Sequence, residues 1–407
     1  MAGETLAGSA ATPVEPAAGV PPQSYGQLFL RFLRFGLLAW GGPVAQIAMI
    51  RQELVEEQRW ISRVRFNRVL AVYQVLPGPE AHELCVYFGY LARGRLGGLL
   101  AGLGFMLPGF LLMLFLSWFY VAIGISSPLL AAAFAGCQVA VAALIIRAVH
   151  RIGEHALSNR WLWAIAMGAG IGQLFNVPFY LPLVAAALIG ALNVPRRPVR
   201  AALVAGVAVV LAAALVLGRS DAAPPSVATT VTAPSALNLF GSGLRAGLFT
   251  FGGAYTAIPF VQRDAVELGG WMNNAQFLDG LALSGILPAP LVIFVTFVGY
   301  LGGGFAGALA MTAGMFLPAF LFTLLGHDLM ERMVERPGIH AALDGVAAGV
   351  VGLIAATALQ LLPALLIDPI RAALFLAALG IAYRWKSRWS VLAIIGGAAL
   401  AGLLLLR

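Results

Sequence analysis

Apolar residues in this chain come in long unbroken runs, with neither strand-like alternation nor a single helical stripe. Such runs occupy 97–122, 128–149, 161–194, 201–218, 303–326, 340–367 and 389–406, with short polar stretches between them. Several reach the roughly 20 residues needed to cross hydrocarbon, and 161–194 is long enough for a pair. They are rich in Leu, Ala and Gly and lack the period-two alternation over about 10 residues that marks a barrel strand. The expectation is an all-α polytopic membrane protein.

Composition agrees. Of 407 residues, 60% are hydrophobic and 10% charged, and the mean hydropathy is +0.90. A soluble domain carries roughly a quarter charged residues, so the lipid bilayer is the expected solvent. The net charge of +8 does not indicate nucleic acid, because the basic residues lie between apolar runs as topology signals do, with no dense cluster. Met1–Gln23, rich in Ala and Pro, reads as a disordered tail and not a signal peptide. Cys85 and Cys137 sit in apolar sequence and read as two buried thiols.

The chain repeats itself. At an offset of 211, Arg34 meets Arg245, Gly36 meets Gly247, and Trp40-Gly41-Gly42 meets Phe251-Gly252-Gly253. Glu53 meets Asp264, Trp60 meets Trp271, and Pro77 and Pro79 meet Pro288 and Pro290. Matches of Gly89-Tyr90-Leu91 with Gly299-Tyr300-Leu301 and of Leu107-Pro108 with Leu317-Pro318 follow at 210. The expected units are a tail (1–24), a first repeat (25–196), a linking helix and external linker (197–236) and a second repeat (237–407).

The arginines give the repeats opposite senses. Loop 51–68 carries Arg51, Arg59, Arg63, Arg65 and Arg68, whereas its counterpart 262–279 carries Arg263 against Asp264, Glu267 and Asp279. Arg93, Arg95, Arg147 and Arg151 face uncharged counterparts, while uncharged Ser126-Ser127 corresponds to the region of Arg332 and Arg336. Equivalent loops therefore belong on opposite sides. With 51–68 and 93–95 both inside, Leu70–Ala92 must enter and return around Leu76-Pro77-Gly78-Pro79, where proline ends the helix. Leu281–Leu301 mirrors it around Pro288-Ala289-Pro290. The stretches 27–50 and 238–261, broken at the paired glycines, fit either hairpins or interrupted spans.

Broken helices at membrane depth are tolerated where protein or a water-filled cavity satisfies the backbone, and inverted repeats commonly bind substrate there. New helices are expected near Val44, Glu80, Ala254 and Leu291. Their N-termini would offer free N–H groups and positive polarity to an anion. The backbone at Gly41, Gly42, Gly78, Gly252, Gly253 and Ala289 is thus a candidate binding surface. Arg34 and Arg245, in otherwise apolar helices, either face that cavity or satisfy a neighbouring carboxylate such as Glu53 or Asp264. Gln46, Gln74, Thr256 and Ser284 are candidates to touch the cargo or to bridge helices. Glu80, His82 and Glu83 follow Pro79 in the first half only, and are candidates for helix capping or proton coupling. Glu53, Glu56 and Glu57 with nearby Arg residues read as an amphipathic interfacial stretch. No His or Cys spacing suggests a metal, no glycine run carries the Lys-Ser/Thr of a nucleotide loop, and no cofactor is expected. An intramembrane enzyme would need a nucleophile or paired carboxylates at depth, which only Glu80 and Glu83 offer.

These residues resemble the chromate ion transporter family in its long, two-domain form. The resemblance rests on Trp40-Gly41-Gly42-Pro43 through Gln46, the Glu53–Glu57 run before Trp60, and Gln74 with Leu76-Pro77-Gly78-Pro79. In the second half it rests on Phe251-Gly252-Gly253-Ala254-Tyr255, Gly270-Trp271 and Leu287-Pro288-Ala289-Pro290. Trp40 stands where the family more often has Phe. The resemblance implies a multi-pass inner-membrane protein that exports chromate, with sulfate as a look-alike competitor, driven by the proton-motive force. A sulfate or oxyanion importer or exchanger and a passive anion channel are the alternatives on the same scaffold, and a homodimer is the candidate assembly.

Overall fold

The computed structural model describes residues 19–123, 127–192, 198–217, 234–251, 253–334, 337–385, 387 and 389–406. Most of the N-terminal tail, most of the linker and Gly252 lie outside them. Among the described residues all regular structure is helical.

The first half comprises α1 (Tyr25–Leu37), α2 (Gly42–Arg51), α3 (Arg63–Val75), α4 (Glu80–Ile123), α5 (Pro128–Ala156), α6 (Arg160–Leu174) and α7 (Tyr180–Ala191). Helix α8 (Pro198–Leu217) leads towards the second half. That half repeats the order as α9 (Ala236–Leu248), α10 (Ile258–Gln262), α11 (Asn274–Gly285), α12 (Phe294–Val334), α13 (Pro337–Leu365), α14 (Pro369–Arg384) and α15 (Ser390–Leu405). The same local chemistry sets matching boundaries. Ser24 and Ser235 cap α1 and α9, and Ser62 and Asn273 cap α3 and α11, each accepting a backbone N–H. A π-helical turn follows α2 at Gln52–Glu57 and α10 at Arg263–Leu268.

Among the described residues four stretches are long and apolar enough to cross a membrane: Glu80–Ile123, Pro128–Ala156, Leu291–Gly326 and Gly338–Leu365. Both α4 and α12 turn sharply after their first arm, at Arg93–Gly94 and Gly303–Gly304. Gly94 has φ +64° and Gly304 φ +59°, a left-handed conformation that glycine adopts without a Cβ clash.

The two hairpins of each half are visible in their side-chain pairs. Arg34 reaches Glu53 while Arg31, nearer the N-terminus, reaches Gln58. The chain therefore turns back at Gly41-Gly42, and 27–50 is a hairpin. In the next hairpin Phe66 stacks on Phe88 and Arg65 donates to the Tyr87 hydroxyl, far from the Pro-Gly-Pro tip on both arms. Thirteen-residue arms such as α1 and α3 are about 20 Å long, short of the ~30 Å hydrocarbon layer.

Two packing features define the whole. Gly98 of α4 faces Leu324 of α12, and Gly102 faces Phe320. Sequence numbers rise along one helix as they fall along the other, so the long arms of these equivalent helices are antiparallel. The repeats are thereby inverted. The halves also exchange their final hairpins: α13 packs along α6 and α7, and α5 packs along α14 and α15. Gly136 of α5 lies against the Ala398 carbonyl of α15, and Gly345 of α13 lies against the Ala186 carbonyl of α7. A Cβ at either would collide with backbone.

Two sequence expectations change. The helices expected near Ala254 and Leu291 do start there, but each opens with a 3-10 turn, Ala254–Ala257 and Leu291–Ile293, before α10 and α12. Pro259 at the start of α10 lacks the N–H that would extend the helix backwards. Arg147 and Arg151 lie within α5, not in a loop after it. At 29 residues α5 is about 43 Å long, so its last turns outrun the apolar run that ends at Val149.

Candidate functional site

The helix breaks of one half touch the breaks of the other, crosswise. The Gly78 N–H, at the tip of the second hairpin of the first half, donates to the Thr250 carbonyl at 2.8 Å. Thr250 precedes the glycine break of the first hairpin of the second half. In the equivalent place across the pseudo-twofold, Gln46 Nε2 donates to the Ala39 carbonyl at 2.9 Å and to the Ala289 carbonyl at 3.1 Å. Gly78 and Thr250 correspond to Ala289 and Ala39 at the repeat offset of 211. A direct backbone bond on one side thus becomes an amide bridge on the other. Each is buried, where an unpaired carbonyl would be costly.

Close packing holds the tips. Gly109 of α4 abuts the Ala289 methyl, and a Cβ on Gly78 would come within 2.8 Å of the Glu83 carboxyl. Gly41 caps α2 at φ +93°, and Gly42, Gly78 and Gly253 also have positive φ.

Arg34 pairs with Glu53 at 3.3 Å and Arg245 with Asp264 at 2.7 Å, each guanidinium more than half exposed. Ser242 adds a 2.7 Å hydrogen bond to Asp264. Glu53 also holds Arg31 at 3.3 Å, and Glu56 holds Arg51 and Arg63. The acidic run therefore closes the first hairpin through ion pairs. Thr256 is buried and its hydroxyl donates to the Gly253 carbonyl at 2.6 Å. Ser284 donates to the Leu281 carbonyl at 2.8 Å. Gln74, four residues before Gly78, is exposed.

Glu80, His82 and Glu83 are all buried at the start of α4. Neither Glu83 oxygen has a hydrogen-bond partner among the described residues. The His82 ring lies between Phe316 (4.9 Å) and Phe320 (4.7 Å) of α12, so this acidic turn is pressed into the opposite half. Arg151 acts electrostatically on Glu80, and Arg147 and Arg151 both act on Tyr255 just past the Gly253 break. From sequence these arginines read as topology signals only. Their i, i+4 spacing on one helix face was the available clue. Ala39 and Thr250 had no sequence signal beyond their place before the glycines.

No group of three or more His, Cys, Asp or Glu side chains suited to a metal occurs among the described residues. Cys85 and Cys137 are free and buried.

No solved structure matches the chain. A chromate transport protein of Pseudomonas aeruginosa is 56% identical over 98% of this chain and 97% of its own length. A chromate transport protein of Cupriavidus metallidurans is 33% identical over 94% of each. An uncharacterized transporter of Bacillus subtilis is 29% identical over 41% of this chain and 96% of its own length. The family model described as Chromate transporter matches twice, at residues 26–191 and 237–403. With both repeats matched and their breaks paired across the interface, the chain belongs to the chromate transporter family.

Proposed function

We propose that this protein exports chromate across the cytoplasmic (inner) membrane as a secondary active transporter coupled to the proton-motive force. The observation that carries the reading is the crosswise joining of helix breaks, Gly78 to Thr250 and Gln46 to Ala289. The joined breaks lie between the two halves, so rocking one repeat against the other would open the shared site to one side and then the other. The named relatives support chromate as cargo.

The cargo-facing set is the backbone at Gly41, Gly42, Gly78, Gly252, Gly253 and Ala289, with Gln46, Gln74, Thr256 and Ser284 as hydrogen-bonding side chains. Arg34 and Arg245 keep N–H donors beyond their carboxylate partners and serve the oxyanion as it enters or leaves. Glu83, beside Gly78 and with no hydrogen-bond partner among the described residues, is the central proton-coupling candidate, with Glu80 and His82 adjoining it. Export suits a dianion. Each negative charge leaving a negative-inside cell gains about 2.3 kcal/mol per 100 mV, and an inward-moving proton adds to that drive. Sulfate, a tetrahedral dianion too, is the expected competitor.

The test is uptake of radiolabelled chromate into inverted membrane vesicles, with sulfate competition. Uptake beyond electrochemical equilibrium, stimulated by an acid lumen, is expected. Uptake that stops at equilibrium marks a channel, and chromate leaving the vesicles against its gradient marks an importer. Arg34→Ala and Arg245→Ala should each lower chromate resistance at normal membrane abundance; full resistance in both removes them from the path.

A further inference from the structure

Away from the paired breaks, one buried acid joins the two halves without a cation. Asp279 of α11 is 2% exposed. The Tyr120 hydroxyl of α4 donates to its Oδ2 at 2.8 Å, and Gln138 Nε2 of α5 donates to its Oδ1 at 2.8 Å. Both donors belong to the first half and the acceptor to the second. Tyr120 is flanked by the rings of Phe134 (5.5 Å) and Phe297 (4.9 Å), so the surroundings are apolar. The equivalent position in the first half is Arg68, so the acid is not a device repeated in both halves.

A carboxylate taking one donor on each oxygen is arranged as its acceptor-only, ionised form requires, and such bonds are stronger than neutral ones. Among the described residues Asp279 forms no ion pair, only these two bonds. A charge held at membrane depth without a counter-ion is costly, and groups so placed commonly serve proton relays. The titratable groups facing it are few. Tyr120 comes from α4, and Cys137 of α5 lies close enough to feel its charge. Helix α15 and the 291–293 turn contain no titratable residue, and neither does α12 over Phe294–Gly299, where Phe294 and Phe297 meet α11.

We propose that Asp279 is a proton-carrying group of the transport cycle, tying α11 of the second half to α4 and α5 of the first when ionised and loosening that tie when protonated. A proton on Oδ2 turns an acceptor into a donor facing the Tyr120 hydroxyl. That hydroxyl must then accept, and its own hydrogen is left among phenylalanine rings. Loosening this contact frees the movement between halves that the proposed transport needs. The sidedness also fits. By the arginine distribution α11 enters from outside, and Asp279, five residues past its start, stands between the acid external phase and the break at Pro288.

The inference rests on proton-coupled chromate transport, and the test separates the two. In inverted vesicles Asp279→Asn should lose chromate uptake driven by an acid lumen yet keep chromate–chromate exchange, which moves no net proton. Tyr120→Phe, which removes one donor and leaves the acid, should retain gradient-driven uptake with a displaced pH profile. If Asp279→Asn responds to the pH gradient as the unaltered protein does, or loses exchange together with gradient-driven uptake, the proposal is overturned. If the unaltered protein shows no chromate uptake or no pH-gradient response, the transport reading itself fails.

Discussion

Gln46 occupies a singular position at the residue scale. One amide nitrogen answers two carbonyls, Ala39 and Ala289, that belong to different halves. Gln46→Leu keeps the volume and removes both donations. Each buried carbonyl left without a donor should cost about 1–3 kcal/mol, read as a lower melting temperature in detergent together with lost chromate resistance. A variant that melts and resists like the parent would show that water or another donor takes over. Gly78 is constrained from another direction: its φ of +151° strains any L side chain, and a methyl group there would have to displace the Glu83 carboxyl, 2.8 Å away. Gly78→Ala should abolish resistance while membrane abundance is preserved in immunoblots. The ion pairs of Arg34 and Arg245 with Glu53 and Asp264 were one of two readings open from sequence, and the structure places both pairs at equivalent positions.

At the scale of elements, short arms and π-helical turns shape the hairpins. The turns at Gln52–Glu57 and Arg263–Leu268 each place an extra residue in the helix, a feature often found where function needs an irregular helix. Each turn carries the carboxylate that meets the arginine of the preceding arm. The exchanged packing of α5 and α13 depends on glycine. Gly136→Val and Gly345→Val each set a side chain against a facing carbonyl. Overpacking of this kind typically costs about 1–3 kcal/mol. The two variants should fall in melting temperature by similar amounts, because they disturb the same contact in two copies; loss in one alone would show that the interfaces differ in energy.

For the whole molecule, inversion and exchange have separate consequences. Cysteines placed at Ser62 and Asn273, the caps of α3 and α11, should react with an impermeant maleimide from opposite faces of the membrane; labelling from one face would contradict inversion. Exchange of the final hairpins leaves neither half a complete body, since α13 is covered by α6 and α7 and α5 by α14 and α15. Residues 1–217 and 234–407 made as separate chains should be unstable alone and recover chromate resistance when produced together. Resistance from either fragment by itself would show that one half suffices.

Much of this was legible along the chain because it is local physics. Proline without an N–H, paired glycines and uninterrupted apolar runs mark breaks and spans wherever they stand, and the arginine imbalance carries orientation. The matched tryptophans, prolines and arginines exposed the duplication for the same reason. The sequence left open whether 27–50 crosses or returns, which the Arg34–Glu53 and Arg31–Gln58 pairs decide as a return. It gave no sign that Gly78 meets Thr250, that Gln46 meets Ala289, or that Asp279 finds Tyr120 and Gln138. Helices apolar on every side carry no stripe saying which face meets protein and which meets lipid. Partners 141 to 243 residues apart, as in the Gln138–Asp279 and Gln46–Ala289 bonds, are chosen by how the repeats pack and by nothing local to either residue.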